Sequence, residues 1–192
     1  MNNKQLLNNG WICYYPKFIS QESTTFLFKS LLKECNFKSH NIKLFGKDIL
    51  IPREESFHSI DTKSYGYSGY TMETQEYTES IAFIQNMIEN KTRLSFNSVL
   101  VNLYRNEKDS NGWHADNEGE LGMNPIIASV SLGETRRFQL KHKTTNEKIH
   151  MNLEDGDLLI MGGELQHFWK HQVPKEKFHC KPRINLTFRY IF

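Results

Sequence analysis

His114 and Asp116 stand two positions apart in "NGWHADNEGE", residues 111–120. In extended chain, positions two apart point to the same side, so an imidazole and a carboxylate would face together there. A third donor would complete a metal site. Two histidines and one carboxylate on one face of an ion form the facial triad of non-haem Fe(II) oxygenases, which leaves positions open for a cosubstrate and oxygen. The later histidines are His142, His150, His167, His171 and His179. His171, in "HFWKHQVPK", and His167 are the contenders, and spacing alone does not choose between them.

A second row lies near the C-terminal end. Arg183, Asn185, Thr187 and Arg189 alternate with Ile184, Leu186, Phe188 and Tyr190. A strand with one polar and one apolar face usually solvates the polar one. The same four side chains can also cradle a carboxylate, because the guanidinium fork matches its geometry. Asn102 and Tyr104 share a face in "VLVNLY", with Val101 and Leu103 opposite.

These residues need a scaffold, and 192 residues suit one domain with a single sizeable core. Hydrophobic content of 38% and charged content of 24% describe a soluble globular chain, and a net charge of +2 is too small to argue for nucleic acid by itself. Cys13, Cys35 and Cys180 are odd in number and scattered, which fits a reducing compartment rather than a disulfide framework. The N-terminal "MNNKQLLNNG" lacks the apolar core of a signal peptide, and no apolar run approaches a membrane span. The expectation is a cytoplasmic protein, or a nuclear one in a eukaryote, with a monomer as the default.

Two stretches predict helices. Ser20 caps the first, where Leu27, Leu31 and Cys35 share a face with Phe28 and Leu32 beside it. In the second, Ile81, Ile84 and Ile88 follow helical spacing, with Glu76 and Glu79 in the early turns. From Phe96 onward, "FNSVLVNLY", "IIASVSL", "RRFQLKHK", "DLLIM" and "RINLTFRYIF" predict short strands. Helices early and strands late make an α+β arrangement with a sandwich or barrel. Between them, "LFGKDILIPR" and "YGYSGYTM" predict short strands and loops.

Taken in order, His114-x-Asp116, His171 and Arg183-x-Asn185-x-Thr187-x-Arg189 resemble the AlkB family of Fe(II)/2-oxoglutarate dioxygenases. "RINLTFR" looks like its RxNxTFR signature with every motif position kept, and "VLVNLY" like its NxY strand. The similarity runs from about "YYPKF" to the C-terminus and is closest to members acting on double-stranded DNA. It implies a double-stranded β-helix (jelly roll) core at 96–192. Residues 1–95 would form N-terminal helices and a nucleotide-recognition lid, the whole making one compact domain.

The resemblance also implies site residues. His114, Asp116 and His171 would hold Fe(II), with "KHQVP" aligning to the family's third-ligand segment and so selecting His171 over His167. Arg189 would pair with the far carboxylate of 2-oxoglutarate, helped by Asn102 and Tyr104, while Arg183, Asn185 and Thr187 support the nearer end. Phe45, Gly46 and Lys47 match a hairpin that probes duplex DNA and fills the gap left by an extruded base. Tyr65 and Tyr67 match the base pocket, and Asn117 and Glu118 the polar substrate contacts. Lys38, Lys43, Lys47 and Arg53, with Lys170, Lys175, Lys177 and Lys181, are candidate phosphate contacts. Asn117 stands where these relatives often carry Asp, and "IPREESF" differs around the family's turn, which bears on base preference.

The implied reaction is oxidative demethylation of bases such as 1-methyladenine and 3-methylcytosine in DNA, duplex preferred and single strand second. It consumes O2 and releases formaldehyde, succinate and CO2. The rival expectations are an RNA or protein oxygenase of the same superfamily, a non-catalytic module that binds modified nucleic acid, and a zinc hydrolase on the same ligands.

Overall fold

A computed structural model describes residues 4–44, 46–61, 63, 65–67 and 69–192. An antiparallel pair opens the chain, β1 (Lys4–Leu7) and β2 (Gly10–Tyr15), followed by α1 (Gln21–Glu34). Ser20 caps α1, its side chain accepting from the Ser23 N–H. A hairpin of β3 (Asn41–Leu44) and β4 (Lys47–Leu50) leads to β5 (Glu54–Ser59). A second small hairpin joins β6 (Gly66–Tyr67) to β7 (Tyr70–Thr71), and β8 (Thr74–Gln75) precedes α2 (Glu79–Thr92). Thr78 caps α2 by accepting from the Ile81 N–H, so the helix starts after Glu76, which the sequence pattern placed inside it.

The second half is almost all strand. In chain order it contains β9 (Ser98–Tyr104), β10 (Asn111–His114), β11 (Ile127–Gly133), β12 (Arg136–His142), β13 (Lys148–Leu153) and β14 (Leu158–Gly162). A four-residue helix, α3 (Leu165–Phe168), precedes β15 (Trp169–Val173) and β16 (Arg183–Arg189). Five strands follow the sequence expectation closely; β1, β2, β5, β8, β13 and β15 are additional. No described helix is long and apolar enough to cross a membrane, and all three cysteines are free and buried.

Two sheets organise the described residues. The larger has the order β1-β2-β14-β11-β16-β9-β5-β8, and the smaller β10-β15-β12-β13. Strands from both 1–95 and 96–192 enter the larger one, since β2 pairs with β14 and β5 with β9. The sheets face each other across Ile12, Ile127, Leu159 and Met161 on one side and Phe138, Leu140, Leu153 and Trp169 on the other. This is the double-stranded β-helix expected of the chain.

On its outer face the larger sheet is covered by both long helices. Leu27 and Leu31 of α1 and Ile81, Ile84 and Ile88 of α2 pack on Val99, Val101, Val130, Ile184, Leu186 and Phe188. Burying each such side chain is worth about 1.5–3 kcal/mol. A one-residue slip of β16 would turn this whole apolar row away from the helices, so packing fixes its register. The polar row then has to point between the sheets. Arg183, Asn185, Thr187 and Arg189 are all buried there, not solvated.

Candidate active site

His114 and His171 meet because β10 and β15 are neighbours. They are direct cross-strand partners in that antiparallel pair, with ring centroids 4.2 Å apart. Asp116 lies just past the end of β10 and folds its carboxylate back toward both rings. Its Oδ1 is 3.6 Å from His114 Nε2 and 3.9 Å from His171 Nε2. One donor atom from each of the three residues lies within 4.8 Å of the others. His167, on α3, is exposed and is not part of this group; its backbone carbonyl accepts from Lys143.

Surrounding contacts set the donors in place. His114 Nδ1 donates to the Gly112 carbonyl at 2.7 Å, which leaves the Nε2 lone pair outward as a ligand atom, accepting here from Asn111 Nδ2 at 3.2 Å. His171 packs on Phe138 with centroids 5.4 Å apart, and burial pushes its pKa down to about 3, so the ring is neutral. Burial would raise the Asp116 pKa, but Arg189 and the two histidines outweigh it and hold the carboxyl well below the usual range. Two neutral imidazoles and one carboxylate, converging on one side, are the donor set that suits a ferrous ion with open positions.

The Asp116 backbone has its own anchor, which the sequence reading missed. The Asp116 N–H donates to Gln166 Oε1 at 3.0 Å, and Gln166 on α3 is fully buried. Gln166 thus ties the loop after β10 to the segment leading into β15. No sequence signal marks it: a lone glutamine in a four-residue helix has no pattern.

The two arginines of β16 occupy opposite ends of the site. At about 3.3 Å rise per residue they are roughly 20 Å apart along the strand. Arg189 Nη2 donates to Asp116 Oδ2 at 2.8 Å, which places this arginine at the metal end. The expectation had Arg189 meeting the far carboxylate of 2-oxoglutarate; in the structure it pairs with Asp116, and its Nε is buried without a hydrogen-bond partner. Arg183 stands beside Tyr104, its register partner on β9, with its guanidinium carbon 5.3 Å from the ring centroid. Tyr104 therefore belongs with Arg183 and not with Arg189. Arg183 Nη2 donates to Ser131 Oγ at 2.9 Å, while its Nε and Nη1 are buried without a hydrogen-bond partner. Burial lowers its pKa to about 10, which leaves it charged.

Between them, Asn185 Nδ2 donates to Ser129 Oγ and to the Val130 carbonyl, and Thr187 Oγ1 donates to Asn185 Oδ1. Asn102 faces Asn185 across the β9–β16 pair, and its Oδ1 accepts from Arg53 Nε at 2.9 Å. Arg136, unmarked in the sequence, also lies over the Tyr104 ring, at 5.4 Å, and donates to the Asp109 and Pro174 carbonyls. A buried guanidinium whose Nε and Nη1 lack acceptors is costly, and an incoming carboxylate would supply an acceptor.

Beside the metal group lies an open cleft of about 560 Å³, walled by Tyr65, Tyr67, Tyr70 and Thr71 and by Glu118 and Glu120. Tyr65 sits under the Arg189 guanidinium, 5.3 Å from ring centroid to Cζ, and packs on Phe57. The Tyr67 hydroxyl donates to Glu55 Oε2 at 2.5 Å. Glu118 Oε2 is buried with no partner among the described residues, and burial with the nearby Asp116 charge raises its pKa. Asn117 is exposed, outside the cleft wall.

The phosphate expectations divide. Arg53 is buried, bonded to Glu55, Asn102 and Tyr67, so it is an internal tie and not a surface contact. Lys38 is exposed but pairs with Glu73. Lys43 and Lys47 stand exposed on the β3–β4 hairpin, and Lys170, Lys175, Lys177 and Lys181 are exposed near β15 and β16. Gly46 lies in the hairpin turn at φ +75°, with open space around it. Phe45 lies outside the described residues.

Residues 12–189 match the model of the 2OG-Fe(II) oxygenase superfamily. The human alpha-ketoglutarate-dependent dioxygenase alkB homolog 3 is 37% identical over 94% of this chain, which spans 66% of that relative's length. The human DNA oxidative demethylase ALKBH2 is 31% identical over 95% of this chain and 74% of its own length. The solved structure of OsALKBH1 superposes with a TM-score of 0.70 at 19% identity, covering 96% of this chain and 100% of that one, a similarity of fold.

Proposed function

The chain belongs to the 2OG-Fe(II) oxygenase superfamily and, within it, to the AlkB family, and on that premise we propose that it oxidatively demethylates N-methylated bases in DNA. Asp116 carries this reading. One of its oxygens faces two neutral histidines and the other is held by Arg189, with a tyrosine-walled cleft alongside. When bound, iron, 2-oxoglutarate and O2 would together supply an oxidant for the methyl carbon: one oxygen atom of O2 would enter succinate as CO2 leaves, and the other would give N–CH2OH, which releases formaldehyde and leaves the plain base.

The protein's own side chains do the rest. His114, Asp116 and His171 hold the ion. Arg183, with Tyr104 beside it, takes the far carboxylate of 2-oxoglutarate as the acceptor its buried guanidinium lacks. Arg189, Asn185 and Thr187 order the metal end. Tyr65 and Tyr67 bound the base by aromatic contact, worth about 1–3 kcal/mol per stacked base. Glu118 accepts from an exocyclic amino group. A base methylated at a ring nitrogen that normally pairs, such as 1-methyladenine, carries a positive charge, and a half-buried acid beside tyrosine rings favours such a cation.

One relative is named a DNA oxidative demethylase, and the same substrate class suits this cleft. To reach the metal the base must leave the stack. Phe45 is the proposed wedge, Gly46 lets the turn form, and Lys43 and Lys47 face the phosphates. The test is a turnover panel with Fe(II), 2-oxoglutarate and ascorbate on 1-methyladenine and 3-methylcytosine in duplex DNA, single-stranded DNA and RNA. Formaldehyde release highest on DNA is expected. Equal or better release from RNA would replace the DNA assignment, and no release from folded, iron-loaded protein would favour a binding module.

A further inference from the structure

His40 explains a wall of the cleft that no motif accounts for. It stands immediately before β3 and is 8% exposed. Its ring lies flat on Tyr70, with centroids 3.7 Å apart and planes 10° from parallel. It meets Tyr67 edge-on at 5.9 Å. Tyr67 and Tyr70 are direct partners at the tip of the β6–β7 hairpin, and both line the cleft. One side chain therefore grips both ends of that tip.

The hydrogen-bond inventory defines the grip. The single Tyr67 hydroxyl proton goes to Glu55 Oε2, and Arg53 Nη2 donates back to the phenol oxygen at 3.2 Å. That oxygen can only accept from His40 Nε2, 3.2 Å away, so this nitrogen carries a proton. The His40 backbone is fixed in turn: its carbonyl accepts from the Ile51 N–H at 3.0 Å, closing the foot of the β3–β4 hairpin.

Both hairpins need such a joint. Each is a two-stranded sheet separate from the two larger sheets, and an isolated hairpin of that size is marginal by itself. The β6–β7 hairpin is also drawn very tight: a Cβ on Gly66 would lie 2.7 Å from the Tyr70 carbonyl oxygen. With one face covered by imidazole, Tyr70 keeps its remaining surface on the cleft.

We infer that His40 is a positioning residue that clamps the β6–β7 hairpin to the foot of the β3–β4 hairpin and so makes Tyr70 a third aromatic wall for a nucleobase. The substrate half of this inference rests on the proposed function; the clamp half does not. The flat stack and the Nε2 donor are separable by substitution. His40→Phe keeps the plane and loses the donor; His40→Gln keeps a donor and loses the plane.

Two measurements on the full chain test the two halves. Hydrogen exchange without ligand follows the Met72 amide, which donates to the Tyr65 carbonyl at 2.9 Å and closes the base of the hairpin. Faster exchange is expected in His40→Ala, with protection restored in His40→Phe; unchanged exchange in His40→Ala overturns the clamp whatever the substrate is. Fluorescence anisotropy with Mn(II), 2-oxoglutarate and a labelled 1-methyladenine oligonucleotide follows the base. His40→Ala, His40→Gln and Tyr70→Ala should each weaken binding about tenfold, the scale of one lost base stack. His40→Phe should bind like the parent, and His40→Ala with Tyr70→Ala should be no weaker than either alone. Parent-like binding by His40→Ala, or losses that add in the double variant, would overturn the role of Tyr70. If the parent chain takes up Mn(II) and 2-oxoglutarate but no nucleic acid, the base assignment of Tyr70 falls together with the proposed function, and the exchange result still decides the clamp.

Discussion

Arg189 Nη2 and Asp116 Oδ2 are 2.8 Å apart in a buried ion pair, and the other oxygen of the same carboxylate faces His114 and His171. The carboxylate is thus divided between a permanent cation and the side where a metal would bind. Arg189 keeps the ligand ionised and oriented before any ion arrives, which is how a supporting shell tunes a metal site.

This pairing separates two substitutions at the metal ligand. Asp116→Ala removes the ligand and also leaves Arg189 buried without its partner, a loss of about 3–5 kcal/mol for a broken buried pair. Asp116→Asn keeps an oxygen and most of the packing. Both variants should lose turnover, while thermal melts of the metal-free proteins should show Asp116→Ala much the less stable. Near-normal turnover in either would remove Asp116 from the ligand set.

Arg183 and Arg189 should fail differently. Arg183→Met removes the free N–H groups at the far end, so the affinity for 2-oxoglutarate should drop by about 10- to 150-fold, from the ~1.5–3 kcal/mol of a charge-assisted hydrogen bond. Its affinity for Mn(II) should stay near the parent value. Arg189→Met should lower Mn(II) affinity by about 10- to 100-fold. Calorimetric titration of each variant with each ligand checks this, and a reversed pattern would return Arg189 to the far carboxylate.

Acid should destabilise the metal-free fold early. His58 is buried between Ser56 Oγ and the Glu76 carbonyl, and burial lowers its pKa from 6.5; His171 falls from 6.5 to about 3. Below pH 6.5 the unfolded chain gains protons on these rings that the fold refuses. Their contribution is complete above about pH 6.5 and is lost progressively as the pH falls, down to about pH 3 for His171, at up to about 1.4 kcal/mol per pH unit for each ring. Melting temperatures from pH 7.5 down to 4.5 should fall below pH 6.5. A flat profile would mean that the fold accepts charged histidines at these positions.

Phe45→Ala should reduce turnover on methylated duplex DNA more than on single strands, because only a duplex leaves a gap to fill. Initial rates on the same lesion in both contexts measure it. Equal losses would demote Phe45 to a packing residue.

Much of the site was legible because its signals are local. His114 and Asp116 announce themselves by spacing, and the alternation in "RINLTFR" states that four polar side chains share a face. The Ser20 helix cap and the isoleucine face of α2 are patterns of the same kind. Gln166, Arg136 and His40 are different. Each acts through a partner far away in the chain — Asp116, the Pro174 carbonyl and Tyr70 — and isolated residues of these types carry no periodicity.

By itself, the sequence determined the residue types, their periodicity and the family resemblance, which together named the donor set and the fold. Only the tertiary structure decided where those groups point. Strand pairing set His171 across from His114 and left His167 outside; helix packing on the apolar face of β16 turned its polar row inward; the antiparallel register put Tyr104 with Arg183 and sent Arg189 to Asp116. Burial converted Arg53 from a candidate phosphate contact into an internal tie. The physical reason is that periodicity gives the side of an element on which a residue stands, whereas the partner on that side is fixed by register and burial, which are properties of elements brought together from across the whole chain.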